Sequence, residues 1–398
     1  MNTFRKTILL LGTTLLLCTA TLGTAVAGPG DADLSPRART ALVDAQKQMA
    51  LENPEQAKTV LQAFLEKHPN EDHHFVEYTL AGLLYGENRL EEAGRHYKKT
   101  VALCPDYSPG WQNLGKVCFD LKRFADAATA METSYRICPK KNPLFLFHAA
   151  VAHISAKAPE KALDHMLFLT SGRAGKPETK WVKILTRLAM ELKCPGKALK
   201  TVERLLKDPT PDPVLWRLAA NLYLAMENHT ESAKALAVFA MVHPLSAQDE
   251  TLLADLYHRI GIPDKAADHY QHVVEKKPSR RLYERMVSAR LEACDNDRAL
   301  VAVDKGITAY PDSKGLWKLK GWICYGRNQF NPALEAFSRA LELDKTDKKA
   351  CFMKGLCASR SGAFETAKQA LERASTFPEY KRQALSLIRE MEQRVKKS

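Results

Sequence analysis

The 398-residue sequence is poor in long apolar runs and in motifs that carry chemistry. Its one extended apolar run lies within the first 27 residues, which excludes a protein with several membrane spans. It has no C-x-x-C-H sequence for covalent haem and no H-E-x-x-H sequence for zinc. What it does have is 45% hydrophobic and 26% charged residues, the composition of a folded soluble protein rather than a disordered chain.

The N-terminus has the pattern of a secretory signal peptide over residues 1–27. Arg5 and Lys6 precede an apolar stretch of about 11 residues, whereas a helix that crosses a bilayer needs about 20. Ala25-Val26-Ala27 matches a small-x-small cleavage site. We therefore expect an exported, periplasmic protein, and removal of the two basic residues lowers the net charge from +13 to +11.

Two alternatives at this end stay open. Cys18 could be lipidated, but a lipobox has a small residue just before the cysteine and Leu17 is large. The signal could also be retained as an anchor. Eight cysteines remain after cleavage, and an even number in an exported chain permits disulfides. Most of them fall at apolar helical positions, which favours small buried side chains instead.

The rest of the chain is repetitive. Ten alanines recur at intervals of 33 to 36 residues, with a mean of 34.4. They are Ala57, Ala93, Ala127, Ala162, Ala198, Ala233, Ala266, Ala299, Ala333 and Ala367. A small residue precedes most of them by twelve positions and a proline follows many of them by twelve, so each period predicts helix, turn, helix and loop.

Residues 108–141 show the pattern most clearly. Apolar or small residues at i, i+3, i+4 and i+7 predict one amphipathic helix, and a second stripe follows in the same unit. The first stripe is Trp111, Leu114, Gly115 and Cys118, and the second is Ala127, Ala128, Met131, Ser134 and Tyr135. Gly115 and Ala127 are expected to be small because the two helices cross closely there.

This pattern resembles the tetratricopeptide repeat (TPR). The resemblance implies an all-α solenoid, a right-handed superhelix of about ten helix-turn-helix repeats over residues 38–378, with residues 28–37 as a leader. Irregular loops predict a possible break near 170–180 and another near 208–213. Residues 379–398 are expected to form a capping helix, with Leu385, Ile388, Met391 and Val395 on its packing face.

The TPR resemblance also implies a concave groove lined by the first helix of each unit. Its groove positions place one candidate cluster near the N-terminus and a second near the C-terminus, with Arg217 and Asn221 between them. The first cluster is Tyr78, Tyr85 and Phe119, and the second is Lys318, Trp322, Tyr325, Phe352 and Arg360. These rings either bind a peptide or pack between neighbouring first helices. Arg217 and Asn221 also match the start of a carboxylate clamp, but Leu252 stands where the clamp needs asparagine.

No catalytic, cofactor or metal site is expected. His148 with His153, and His269 with His272, could share helix faces, but metal sites need three or four convergent ligands. We therefore expect a non-enzymatic scaffold that binds a protein or peptide in its groove, with an acidic segment among the candidate partners. The alternative is a TPR subunit of an envelope machine for polysaccharide export or outer-membrane assembly. Export argues against nucleic acid and leaves peripheral contact with membrane or cell-wall components open.

Overall fold

The computed structural model describes residues 34–395, and the predicted signal peptide at 1–27 lies outside that range, as do residues 396–398. The described part contains 21 α-helices and one 3₁₀ turn, Pro69–Glu71, and it has no strand, so the predicted all-α class is confirmed. Within these residues no helix is both long enough and apolar enough to cross a bilayer.

Twenty of the helices form ten consecutive hairpins, and the last helix follows them without a hairpin partner of its own. They are α1 (Pro36–Ala50), α2 (Pro54–Lys67), α3 (His74–Gly86), α4 (Leu90–Leu103), α5 (Ser108–Asp120), α6 (Phe124–Ile137), α7 (Pro143–Ser155), α8 (Pro159–Thr170), α9 (Thr179–Glu191), α10 (Pro195–Leu205), α11 (Val214–Ala225), α12 (His229–Val242), α13 (Ala247–Arg259), α14 (Pro263–Lys276), α15 (Arg280–Glu292), α16 (Asn296–Ala309), α17 (Lys314–Gly326), α18 (Phe330–Leu343), α19 (Lys348–Ser361), α20 (Phe364–Ser375) and α21 (Lys381–Val395).

Each hairpin turns through one residue with left-handed backbone. Its φ lies between 53° and 84° in all ten hairpins, a region that costs a residue with a Cβ about 1–2 kcal/mol. Two of the ten are glycines; the full set is Glu52, Asn88, Lys122, Lys157, Lys193, Glu227, Gly261, Cys294, Asn328 and Gly362. The second helices of four hairpins begin with proline, namely α2, α8, α10 and α14. Proline is tolerated there because a backbone N–H in the first turn of a helix has no hydrogen-bond acceptor within the helix.

The repeated alanines lie where the two helices of a hairpin cross. Each of the ten is at most 1% exposed, so the periodic small residues form the core of the array. At Gly115 a Cβ would lie 2.9 Å from Met131 Cε and 3.3 Å from the carbonyl oxygen of Ala127, which confirms the close crossing predicted there. Gly321 faces the ring of Phe337 in the same way.

The chain divides into two compact units, one ending at Leu218 and the other beginning at Ala219. In the first unit a continuous apolar cluster runs from Ala38 to Ala152 through α1 to α7. The second unit contains two clusters, one centred on α13 to α17 and the other on α17 to α21. In each unit the core is therefore a chain of contacts between consecutive helices, as expected of a repeat array.

Loops between hairpins are short and are held to the following helix. Trp111 donates its indole N–H to the carbonyl oxygen of Pro105 at 2.7 Å, and Trp317 does the same to Pro311 at 2.8 Å. The two longest connections between described hairpins, residues 171–178 and 206–213, each have eight residues and lie where the sequence predicted irregularity.

The terminal helix α21 packs against α20, and Ala384 and Met391 are buried among its side chains described up to residue 393. Ile388 is half-buried against the apolar cluster of α17 to α21, but Leu385 is 38% exposed. The expectation that Leu385 lies on the packing face is therefore wrong. Ala384, Ile388 and Met391 follow the i, i+4, i+7 stripe, and Leu385 lies about 100° around the helix from Ala384.

Candidate functional site

The N-terminal candidates lie on the first helices α3 and α5, where they connect the two helices. The Tyr78 ring packs edge-on against Tyr97 and Tyr107, with centroids 5.7 and 5.3 Å apart, and its hydroxyl accepts a hydrogen bond from Asn113 at 2.9 Å. Since Tyr97 is only 3% exposed, the body of Tyr78 belongs to the core of this unit. Packing between helices thus accounts for most of the contacts described for the Tyr78 side chain.

Tyr85 is half-buried, and its ring and hydroxyl contact polar side chains. Its hydroxyl donates to Asp120 Oδ2 at 2.8 Å, and Lys116 Nζ lies 4.5 Å above its ring. Burial and the bond to Asp120 raise the pKa of Tyr85, so the phenol stays neutral. Phe119, next to Asp120, packs edge-on against Phe124 at 5.2 Å. The three predicted rings are half-buried and lie along two adjacent first helices.

The C-terminal candidates lie on α17 and α19, and charged residues tie these helices together. Lys318 Nζ lies 2.7 Å from Asp347 Oδ2, and Asp347 also caps α19 by accepting from the Ala350 N–H at 2.9 Å. Burial alone would raise the pKa of Asp347, but the bonds from Lys318 and Ala350 outweigh it and lower that pKa. Lys318 is therefore already engaged in positioning the next first helix.

The aromatic residues of this cluster are half-buried on the same two helices. The Trp322 ring stands edge-on to Phe337 of α18 at 5.7 Å and to Tyr325 at 6.4 Å, and Lys349 Nζ of α19 lies 4.6 Å above it. Phe352 stacks on Tyr380 with centroids 5.0 Å apart. Packing thus holds one side of each ring, while part of each side chain remains accessible to a partner.

The ten predicted residues are distributed over both units. Arg360 is exposed at the end of α19. Arg217 is exposed and Asn221 half-buried on α11, and the division into units falls between these two residues. Within the first unit the candidates share α3 and α5, and within the second unit they share α17 and α19.

A set of carboxylates that contact histidines was not predicted from the sequence. Glu77 contacts His96 and also Lys99, whose Nζ lies 2.9 Å from it, and Glu250 contacts His269 and His272. Glu132 contacts His153 and His165 from two further helices. The His269 and His272 pair was visible as a helix face, but the carboxylate that each pair approaches comes from another helix and carries no local signal.

The pairing of His148 with His153 considered from the sequence does not give a cluster. His153 turns to Glu132 instead. Burial, with a smaller contribution from Lys180, lowers the pKa of His148 to about 4, so this imidazole is neutral at physiological pH.

The eight cysteines in the described range are free thiols. Four of them, Cys118, Cys324, Cys351 and Cys357, are buried, and Cys294 is exposed in a hairpin turn. Burial raises the pKa of Cys357 to about 12, with a further contribution from nearby Cys324. The four buried thiols therefore behave as small apolar core side chains rather than as nucleophiles.

Comparison with known proteins agrees with this fold. The sequence model of the tetratricopeptide repeat matches residues 45–71, which run from the second half of α1 through α2 to the 3₁₀ turn. No curated protein sequence matches the chain.

Solved structures resemble the chain at low sequence identity. A structure of Naa15/Naa10 bound to HypK-THB is 15% identical, with a TM-score of 0.52, and the match covers 89% of this chain and 66% of that one. The chain thus spans just under two thirds of that relative's length. Yeast Tom70 is 13% identical, with a TM-score of 0.35 and coverages of 90% and 96%; a MamA structure is 16% identical, with a TM-score of 0.38 and coverages of 43% and 94%. The fold of this chain is that of the all-α tetratricopeptide repeat solenoids.

Proposed function

We propose that the chain is an exported, non-enzymatic scaffold that binds a protein segment on the first helices α17 and α19. One observation carries this proposal. Trp322, Tyr325 and Phe352 are held by packing on one side and are accessible on the other, so they present preformed apolar surface. Aromatic side chains in such settings supply most of the free energy of protein association, and rigid placement lowers the entropy lost on binding.

The charge of this segment favours an acidic partner. Residues 314–361 contain ten Lys and Arg residues against four Asp and Glu, a net charge of +6. Lys318 is paired with Asp347, but Lys349 lies above the Trp322 ring, where it is placed to meet a carboxylate at the edge of the aromatic surface. An extended or helical segment that carries both apolar and acidic residues fits this combination best.

The Naa15/Naa10 structure, in which the proteins are bound to HypK-THB, supports the general role, because arrays of this fold can present a surface to other proteins. The N-terminal pattern of basic start, short apolar stretch and Ala25-Val26-Ala27 supports export. Fractionation of cells followed by mass spectrometry tests this part. We expect a periplasmic chain that begins at Gly28, and an intact N-terminus in the membrane fraction would refute it.

Binding is tested by cross-linking the chain to envelope proteins and titrating the partner so identified. Trp322→Ala and Phe352→Ala should each raise the Kd by about 30-fold, which corresponds to about 2 kcal/mol for a central aromatic contact. Phe364→Ala is the matched control, because Phe364 is a 40%-exposed ring on a second helix, α20. If both α17 and α19 variants bind like the original chain, the proposed surface is wrong.

Salt dependence separates the acidic class from other partners. If acidic residues contribute, the Kd should rise steeply with ionic strength, because exposed charge pairs are screened within about 8 Å at physiological salt. A Kd that is independent of salt would indicate that binding depends on apolar contacts alone, and it would contradict the proposal of an acidic partner. An envelope complex recovered as the partner would favour a docking subunit over a free scaffold.

A further inference from the structure

Among the carboxylates that lie against histidines, the one at Glu132 differs from those at Glu77 and Glu250. Glu132 lies on α6, His153 on α7 and His165 on α8, so the cluster joins one hairpin to the next. Both imidazole Nε2 atoms approach the same oxygen, Glu132 Oε1, at 2.6 Å from His153 and 2.8 Å from His165. His153 is 7% exposed, whereas Glu132 and His165 are 37% and 21% exposed, so the cluster is anchored in the core and accessible from outside.

The other two clusters already contain a fixed cation. Lys99 Nζ lies 2.9 Å from Glu77, and Lys276 Nζ lies 3.5 Å from Glu250. A lysine is protonated at neutral pH, so each of these carboxylates has a positive partner from its own hairpin. In the part of the chain that the structure describes, both ion-pair partners of Glu132 are histidines, with no lysine or arginine among them. This carboxylate therefore lacks the permanent cation that the other two have.

The spacing of the three ligand atoms fits a metal ion. The Glu132 oxygen and the two imidazole nitrogens all lie within 4.8 Å of one another. With Zn–N bonds of about 2.0–2.1 Å and tetrahedral angles, two coordinated imidazole rings have centroids about 5 Å apart. The centroids of His153 and His165 are 5.5 Å apart. The Nε2 to Oε1 distances would open by about 0.5 to 0.7 Å to admit the ion, a small rotation of the accessible Glu132 side chain.

We propose that Glu132, His153 and His165 form a binding site for one divalent transition-metal ion of the Zn²⁺ type. Two imidazoles and one carboxylate are ligands that zinc accepts, whereas Mg²⁺ and Ca²⁺ prefer oxygen ligands alone. The exposed side of the cluster leaves the fourth position to water. The bound ion supplies the positive charge next to Glu132 and braces α6 against α7 and α8.

The site is tested by zinc titration of the purified protein, prepared without a histidine tag and stripped of metal with a chelator. Calorimetry at pH 7.5 should show one equivalent of Zn²⁺ per chain, and Co²⁺ should give the intense visible bands of a tetrahedral complex. His165→Gln is expected to weaken binding at least 10-fold and to remove the Co²⁺ bands. Zinc in excess should raise the Tm of the original chain by several degrees and leave that of His165→Gln unchanged.

His272→Gln is the matched control, because it removes a histidine from the Glu250 cluster, where Lys276 supplies the charge. It should bind zinc like the original chain. Glu132→Gln provides a second site variant whose fold can be checked by circular dichroism before titration. The proposal is overturned if the chain binds no zinc, if both site variants, folded by circular dichroism, retain the original affinity, or if His272→Gln loses it equally.

Discussion

Replacing Gly321 of α17 by alanine would insert a methyl group into a tight helix crossing of the second unit. A Cβ at this position would lie 2.7 to 2.8 Å from three carbons of the Phe337 ring, about 1 Å closer than two carbons normally approach. Phe337 is 1% exposed and is fixed edge-on by Trp322, so its ring has no free space to enter. Overpacking of this kind costs about 1–3 kcal/mol.

Alanine also favours the helix by about 1 kcal/mol relative to glycine, which partly offsets the clash. Because the neighbour is a rigid ring, we expect the upper part of the range and a net loss of about 1–2 kcal/mol. Gly326→Ala at the end of the same helix is the control, since nothing lies within 4 Å of its Cβ position. That variant should gain up to about 1 kcal/mol.

Urea unfolding followed by circular dichroism would measure both changes as shifts of the midpoint in opposite directions. Gly115→Ala extends the series, because a Cβ there meets the flexible Met131 side chain at 2.9 and 3.0 Å and should cost less than at Gly321. The interpretation of the small residues as crossing points is wrong if Gly321→Ala unfolds at the same urea concentration as Gly326→Ala or at a higher one.

Three further outcomes are expected. Burial and the charge of Glu77 raise the pKa of Asp72 to about 6, so Asp72→Asn should stabilise the folded chain at pH 7.5. Native Asp72 takes up a proton as the pH falls through 6, so the gain in stability should shrink there and disappear near pH 4. The midpoints of urea unfolding at each pH measure this gain. Thiol labelling read by mass spectrometry at pH 8 should modify exposed Cys294 at once and reach the buried cysteines only after unfolding, and rapid labelling of the buried set would contradict their burial. Lys122→Gly should stabilise the chain by about 0.5 kcal/mol, because relief of the left-handed backbone at φ 60° exceeds the entropy that glycine adds to the unfolded chain. Asn88→Gly, at φ 61°, should give no gain in the same urea assay because asparagine tolerates this conformation, and an equal gain at both positions would argue against relief of strain.

The repeat fold was predictable because packing imposes a period that survives in the sequence. Every hairpin needs one small residue where its helices cross, so the ten alanines recur and all are buried. The left-handed turn positions were harder to predict from the sequence. Lys122 and Cys294 occupy left-handed positions without being glycine, because the surrounding hairpin imposes that backbone. The face of α21 was also misread at Leu385, one position from the buried Ala384.

The candidate surfaces were predictable only in part. First-helix positions follow from the repeat register, so Trp322 and Phe352 could be placed on accessible faces from the sequence. The register does not tell which side chains meet across helices, and for this reason the pairing of Lys318 with Asp347 was not foreseen. The same limit hid the Glu132 cluster, since Glu132 and His165 are 33 residues apart and meet only through the stacking of consecutive hairpins.

The hydrogen bonds from Trp111 to Pro105 and from Trp317 to Pro311 allow tryptophan fluorescence to report local opening of the array. Each indole is tethered to a loop between hairpins, and the two tryptophans belong to different units. When a loop separates from its helix, the indole exchanges a carbonyl partner for water and its fluorescence emission shifts to longer wavelength. Chains that keep one of these two tryptophans, with the other four replaced by phenylalanine, would therefore report the opening of each unit by its own emission.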